Sequence, residues 1–462
     1  MNPTPLYSAL RALSSQGHLR LHMPGHKGKP LFPGWEEVFA LDYTETYETG
    51  NLYAPDADSP IRPAERLAAA CYGAADCHFL TGGSTQGVHA MLAACCTPGG
   101  PVLLDRTCHK SAASACALLD LRPAFVFPST LEPFGFGGML DLHAVEAALA
   151  AHPDAPALLI VSPNYYGVVQ DIPALAALCR RYGKLLLVDA AHAAHFPALG
   201  LPSPIEQGAD AAVVSAHKTL PCLGQGAYLL LSDQVDGGKL RRCEAMVGTS
   251  SPSYAILASL DLARAWMQGE GRAAYAAAAR QTATLRGEIQ QSTPLVALDD
   301  AAGLPLDPCR LTLCCARTAL DGQAAGQALY ARYGIALELT DQRNLVAILT
   351  GADSPDDFAR LRDALVRLFG SLSGAGAPPP PLPAVPSAEP ALPVRRAWFA
   401  PCRTVPLHQA VGAICARPVT PYPPGIPLLW PGERITAAHI EFLRCSCYDA
   451  DGTVQICADA SL

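Results

Sequence analysis

From about Ile61 the chain alternates short apolar runs with longer stretches in which small and apolar residues recur at helical spacing. Arg62 to Tyr72 has the helical period and Cys77 to Thr81 reads as a strand. After the turn-like GGSTQG comes a helical run, VHAMLAACC. The same beat continues through VLLD (strand), HKSAASACALLD (helix), AFVF (strand), LHAVEAALAAH (helix), ALLIVSP (strand) and IPALAALCRRYG (helix). KLLLVDAAH, ADAAVVSAHK and GAYLLLS follow as strands. Unbroken Val/Leu runs between helices predict a mostly parallel sheet covered on both faces, an α/β fold. Such sheets bind ligands beyond the carboxyl ends of their strands.

The pattern changes twice more. Ser259 to about Gln290 is Ala-rich and helical throughout, and residues 291–370 read as a smaller α/β unit with RLTLCCA and LVAILT as strands. Ser373 to Pro393 is a Pro-rich, semi-rigid linker. We therefore expect an N-terminal segment (1–60), a large domain (61–265), a small α/β domain (266–370), the linker (371–394) and a short C-terminal domain (395–462) marked by PYPPGIPLLWPGE. No internal repeat is visible.

Composition narrows the function. Of 462 residues, 50% are hydrophobic and 16% charged, which fits a packed globular chain rather than a disordered one. The net charge of −8, with basic residues scattered, argues against nucleic acid as a partner. No run approaches a membrane span and the N-terminus lacks a signal-like apolar core, so no membrane partner and a cytoplasmic location are expected. The 17 cysteines sit in apolar, helix-like contexts where reduced thiols act as small hydrophobes. Cys445-x-Cys447 is too little for a metal site, and His192-x-x-His195 has no evident third ligand, so no metal is expected.

Four polar clusters follow strands. Gly82-Gly83-Ser84-Thr85-Gln86-Gly87 opens a helix, where free N–H groups and hydroxyls suit a phosphate; a plain Gly-rich turn with a cap would look the same. Asp105 to Ser111 carries His109, which could stack on a flat ring or be an ordinary loop histidine. Asp189 ends an apolar strand, either as a ligand-binding carboxylate or as a helix cap. Ser215-Ala-His217-Lys218 places a lysine among small and apolar residues, where an amine is costly to keep charged. One cofactor uses all these parts: pyridoxal 5'-phosphate needs a lysine for its Schiff base, a carboxylate at the pyridine nitrogen and a phosphate cradle.

These residues resemble the Orn/Lys/Arg decarboxylase family of fold-type I pyridoxal-phosphate enzymes. The resemblance runs from LHMPGHKG through DRTCHKS, SPNYYGVVQDI, VDAAHAAHF and SAHKTLP to PYPPGIPLLWPGE, in the compact form without a wing domain. It implies α-decarboxylation of a basic amino acid (arginine, lysine or ornithine) as the small-molecule partner. Lys218 would join the cofactor, Asp189 pair with the ring nitrogen and His109 stack on the ring. Ser84, Thr85, Ser215 and His217 would hold the phosphate, and His192 would lie near cofactor or substrate. The stretch GTSSPSYAILASLD resembles a loop that reaches the neighbouring subunit's phosphate, with Ser250 at its first matching position, which implies a homodimer or larger homo-oligomer.

Several positions depart from the family pattern: Gly82 for Asn, Ala190 for Glu, Gly224-Gln225 for Thr-Gln, and Ala413 and Arg417 in the C-terminal domain. They bear on the substrate more than on the cofactor. Arg417 could repel a cationic substrate or be an ordinary surface arginine. Glu433 and the acidic segment Asp42 to Glu48 are available to bind a cationic side chain. Two other readings use the same cofactor site: an aminotransferase or β-eliminating lyase, and a non-catalytic regulatory protein.

Overall fold

A computed structural model describes residues 3–54, 58–299, 303–370, 386, 389–421, 425–445 and 452–458. Most of the expected linker, residues 422–424 of PYPPGIP, and Cys447 lie outside the described residues. The chain forms two compact units. The first comprises Met1–Cys95, Ile172–Ala276 and Thr350–Ala352; the second comprises Cys96–Asp171, Ala277–Leu349 and Asp353–Leu462.

The first nine strands are β1 (Asp76–Leu80), β2 (Pro101–Asp105), β3 (Arg122–Val126), β4 (Thr130–Leu131), β5 (Phe136–Gly137), β6 (Ala157–Val161), β7 (Leu185–Asp189), β8 (Ala211–Val214) and β9 (Ala227–Leu231). In the first unit the strand order is β1-β9-β8-β7. β7 and β8 are parallel, with Asp189 opposite Val213, whereas β9 runs antiparallel to both β8 and β1. All of β8 and β9 is buried, as their unbroken apolar sequences require. The helix Gly83–Cys95 lies so close to β8 that a Cβ on Gly87 would come within 2.5 Å of Val213 Cγ2. That helix starts five residues before the expected run at Val88 and takes GGSTQG into its first turn. The single helix expected over 259–290 is two, Tyr254–Gln268 and Gly271–Ser292. Gly269, at φ −104° and ψ −114°, leaves helical geometry between them, and Gly has the weakest helix propensity after Pro.

A buried charge cluster ties this unit together. Arg241 makes a two-pronged pair with Glu65 (2.9 and 2.9 Å), and Arg62 does so with Asp76 (2.8 and 2.8 Å). His78 bridges Glu244 (Nδ1, 2.6 Å) and Asp76 (Nε2, 3.3 Å). Its three acids and two arginines balance only when His78 carries a proton. Accordingly, although burial opposes it, the charge of Glu244 and the bonds to both acids raise the His78 pKa.

In the second unit β6, β2 and β3 are mutually parallel in the order β6-β2-β3. RLTLCCA and LVAILT form the expected strands, Arg310–Cys314 and Asn344–Ile348, antiparallel within a four-stranded sheet. The helix Pro355–Phe369 is fixed by a capping box between Ser354 and Asp357. The C-terminal part pairs Cys402–Pro406 with Thr453–Cys457 over a core that includes Val405, Leu429, Ile440 and Leu443. No helix among the described residues is long and apolar enough to cross a membrane.

Candidate active site

In the first unit the parallel register of β7 and β8 brings Asp189 and Ser215 to one end of the sheet, the carboxyl end at which α/β proteins bind ligands. Just beyond β8 the chain turns into the short helix Ala216–Thr219. From it, Lys218 sends Nζ to 3.2 Å from His192 Nε2. An ammonium has no acceptor lone pair, so a protonated Lys218 donates to Nε2 and leaves the ring proton on Nδ1. His192 is 2% exposed.

Asp189 is 5% exposed, and its Oδ1 accepts from Ala191 N at 3.2 Å. Burial pushes its pKa up, while the charge of Lys218 and the Ala191 N–H pull it back. The cap reading fails here, because the next helical turn begins at Phe196. A buried carboxylate given one backbone N–H and the charge of Lys218 is suited to a cationic ligand atom.

Hydroxyls gather at the same strand ends. Ser215 Oγ and Thr219 Oγ1, on the lysine helix and its cap, are buried and unpaired; so is Thr81 Oγ1, at the end of β1. Buried hydroxyls are normally satisfied, so these fit an oxygen-rich ligand group better than a finished core. Ser84 and Thr85 occupy the first turn of Gly83–Cys95, where backbone N–H groups have no intrahelical acceptor. The turn is held from behind. Gly83, at φ +68°, donates its N–H to Gln225 O at 2.8 Å. Gly82 N donates to Gln86 Oε1 at 3.0 Å, and Gln86 Nε2 donates to Tyr53 and to the carbonyl of Glu244, each at 3.2 Å. Sequence reading missed Tyr53, and it did not foresee the backing roles of Gln86 and Gln225, since nothing local marks them. His217 donates from Nδ1 to Gly226 O at 3.0 Å. Ser250 is exposed, next to Thr249, whose Oγ1 accepts from Ser251 N.

His109 belongs to the second unit, where it caps the helix Lys110–Leu119: Nδ1 accepts from Ser111 N at 3.2 Å. The proton is therefore on Nε2. The C-terminal motif meets it there. Lys110 N donates to Gly425 O at 3.4 Å, and a Cβ on Gly425 would lie 3.5 Å from His109 Cδ2. Arg106 clamps the same segment, donating to Pro427 O (2.6 Å), Leu428 O (2.7 Å) and Glu433 (3.3 Å). Glu433 also accepts from Trp430 N at 2.7 Å through the same oxygen, Oε2, while its buried Oε1 has no partner. Arg417 is committed to the carbonyls of Trp398 and Ala416. A cavity of about 330 Å³ in this unit is lined by Arg106, Phe134, Phe136, Tyr166, Asp341 and Gln342 among others. Asp341, bonded to Tyr166 and Asn344, is a buried acid that sequence reading did not single out.

Residues 4–324 match the Orn/Lys/Arg decarboxylase major domain and residues 385–450 match the C-terminal domain of the same family. An arginine decarboxylase of Bacillus subtilis is 31% identical over 458 residues, covering 95% of this chain and 93% of that protein. One of Bacillus anthracis is 31% identical over 460 residues, covering 96% and 92%. Among solved structures, lysine decarboxylases of Francisella novicida and Pseudomonas aeruginosa share the fold, with TM-scores of 0.81 and 0.81 at 18% and 20% identity. Each covers 98% of this chain and is itself covered to 80%. The chain belongs to the Orn/Lys/Arg decarboxylase family.

Proposed function

We propose that this protein is a pyridoxal-phosphate-dependent decarboxylase that converts a basic amino acid to its amine and CO₂. The observation that carries the proposal is the Lys218–His192 contact at 3.2 Å, beside buried Asp189 and the unpaired hydroxyl of Ser215. Ser215, with Ser84, Thr85 and His217, would hold the phosphate, and Asp189 would hold the proton on the ring nitrogen. His109 would lie on the ring face. When bound, the cofactor supplies an electron sink for the pair of electrons left behind as CO₂ departs.

The chain's own residues do the rest. His192 Nε2 takes the proton of Lys218, freeing the amine lone pair needed for covalent attachment. His192 Nε2 then hands that proton back to Lys218 Nζ, which delivers it at the carbon that has lost its carboxylate.

Arginine is the substrate to test first, because the two Bacillus relatives of matching length described above are named for it. We further propose a homodimer. Leu21, Leu31, Phe32, Trp35 and Tyr47 are half to fully exposed within one N-terminal stretch, a density of apolar side chains that a second chain would cover. The deciding experiment incubates the protein and cofactor with arginine, lysine and ornithine together and identifies products by mass spectrometry. Agmatine, cadaverine or putrescine, absent with Lys218→Ala, supports decarboxylation. A keto acid in place of an amine would move the reading to an aminotransferase, and binding of the cofactor without turnover to a regulatory protein.

A further inference from the structure

The C-terminal ribbon sets two cysteines directly opposite each other: Cys402 pairs with Cys457 in the ladder between Cys402–Pro406 and Thr453–Cys457. The ladder's hydrogen bonds fall at Ala458 N to Pro401 O (2.8 Å) and at Leu407 N to Gly452 O (3.1 Å). Hydrogen-bonded and non-hydrogen-bonded pairs alternate along an antiparallel ladder. Pairs 401/458, 403/456, 405/454 and 407/452 are therefore the bonded ones, and 402/457 is a non-bonded pair. In such pairs the Cα atoms stand about 4.5 Å apart with side chains on one face, within the about 4.4–6.8 Å that a disulfide spans. The shared face is confirmed by Cys402 Sγ, 3.9 Å from Gln455 Oε1 on the diagonal.

The two thiols differ in access. Cys402 is exposed, while Cys457 is 6% exposed and packs with Ala397, Ile414 and Ala416. We propose that Cys402 and Cys457 form a peroxide-driven, reversible disulfide that staples the last strand of the C-terminal domain. The Cys402 thiolate attacks one peroxide oxygen and becomes a sulfenic acid, with water or an alcohol leaving. The Cys457 sulfur then attacks the sulfenic sulfur; an S–S bond forms, the S–O bond breaks, and water departs with the thiol proton. Two thiols are oxidised and one peroxide is reduced. A thiol reductant such as glutathione reverses the step by exchange. The closed loop, 402 to 457, contains Gly425 and Glu433, the residues that meet His109 and Arg106. Oxidation would thereby tighten the segment that rests on the His109 loop.

The test is independent of the decarboxylase reading. The full-length, cofactor-loaded protein is treated with a few equivalents of hydrogen peroxide and digested without reduction. The expected product is a peptide pair joined through Cys402 and Cys457, lost on adding dithiothreitol. In Cys457→Ser, Cys402 should instead be captured by dimedone as the sulfenic acid. Oxidised wild type should unfold several degrees higher, and Cys402→Ser should lose that shift while unfolding normally when reduced. A wild type in which dimedone captures Cys402 with no joined peptide, or in which Cys402 links to another cysteine, overturns the proposal.

Discussion

Replacing Asp189 with Asn separates what the site needs from what the fold needs. Burial raises the pKa of this carboxyl, so the native state holds its proton more tightly than the unfolded chain does. Between the ordinary value, about 3.9, and the raised one, stability falls as pH rises. Above the raised value the whole cost of ionisation is present, about 1.4 kcal/mol for each unit of displacement. Asn keeps an oxygen for the Ala191 N–H at 3.2 Å and carries no charge to desolvate. What it forfeits is the attraction of Lys218, which offsets part of the gain. The cofactor-free variant should therefore be as stable as wild type or better by about 1 kcal/mol, on the scale of a single hydrogen bond. Decarboxylation should fall on the order of 10²–10³-fold, the usual loss when one electrostatic stabiliser is removed. Urea denaturation of the cofactor-free proteins, alongside CO₂ release by the loaded ones, reads both. A variant that is clearly less stable yet fully active would refute the reasoning, for the carboxylate would then serve the fold alone.

Glu65→Gln strips charge from a fully buried carboxylate that pairs with Arg241 and Arg62; unfolding should become easier by about 3–5 kcal/mol, the cost of leaving a buried partner unpaired. Because the His78 pKa is raised in the fold, its contribution is complete below the ordinary histidine value of about 6.5 and declines as pH rises through the raised one. The denaturation midpoint of wild type should drop on that alkaline limb and that of His78→Gln should not; parallel profiles would exclude the assignment. Gly87→Ala pushes a methyl to within 2.5 Å of Val213 Cγ2, and overpacking of about 1–3 kcal/mol outweighs the gain of about 1 kcal/mol in helix propensity. A net loss in thermal stability is expected, with a smaller loss in the double variant Gly87→Ala/Val213→Ala.

Elements with a strong period could be read directly. Every strand from KLLLVD to GAYLLLS is found in the structure, because an unbroken apolar run must be buried on both faces. Strand direction could not be read: β9 is as apolar as its parallel neighbours, and nothing in AYLLL records that it runs antiparallel to β8 and β1. The helix start at Gly83 was hidden because Gly, Ser and Thr favour turns when isolated, and only the backing of Gln86 and Gln225 turns them into a first helical turn. That Lys218, Asp189 and His192 lie at one end of the sheet followed from the sequence, since each comes at or just after the end of an apolar strand. The pairing of Glu433 was hidden for the converse reason. Its partner Arg106 is far along the chain, and the pairing appears only in three dimensions.

The departures from the family pattern now separate by what each position supplies. Gln225 acts through its carbonyl, which accepts from Gly83 N, and a carbonyl is present whatever the side chain. Arg417 binds the carbonyls of Trp398 and Ala416 and so anchors its own domain. Ala190 is different. Its N–H bonds to Val213 O and its side chain is completely buried, next to a carboxylate whose pKa burial already raises. A second carboxylate at that position would disfavour ionisation of Asp189 further, unless paired. With Ala190 in place, Asp189 is the one carboxylate of this pair of positions, and the charge of Lys218 acts on it alone. Under the proposed function, the change at 190 would leave the pull of Asp189 on a ring nitrogen undiluted and the Lys218–His192 contact at 3.2 Å untouched.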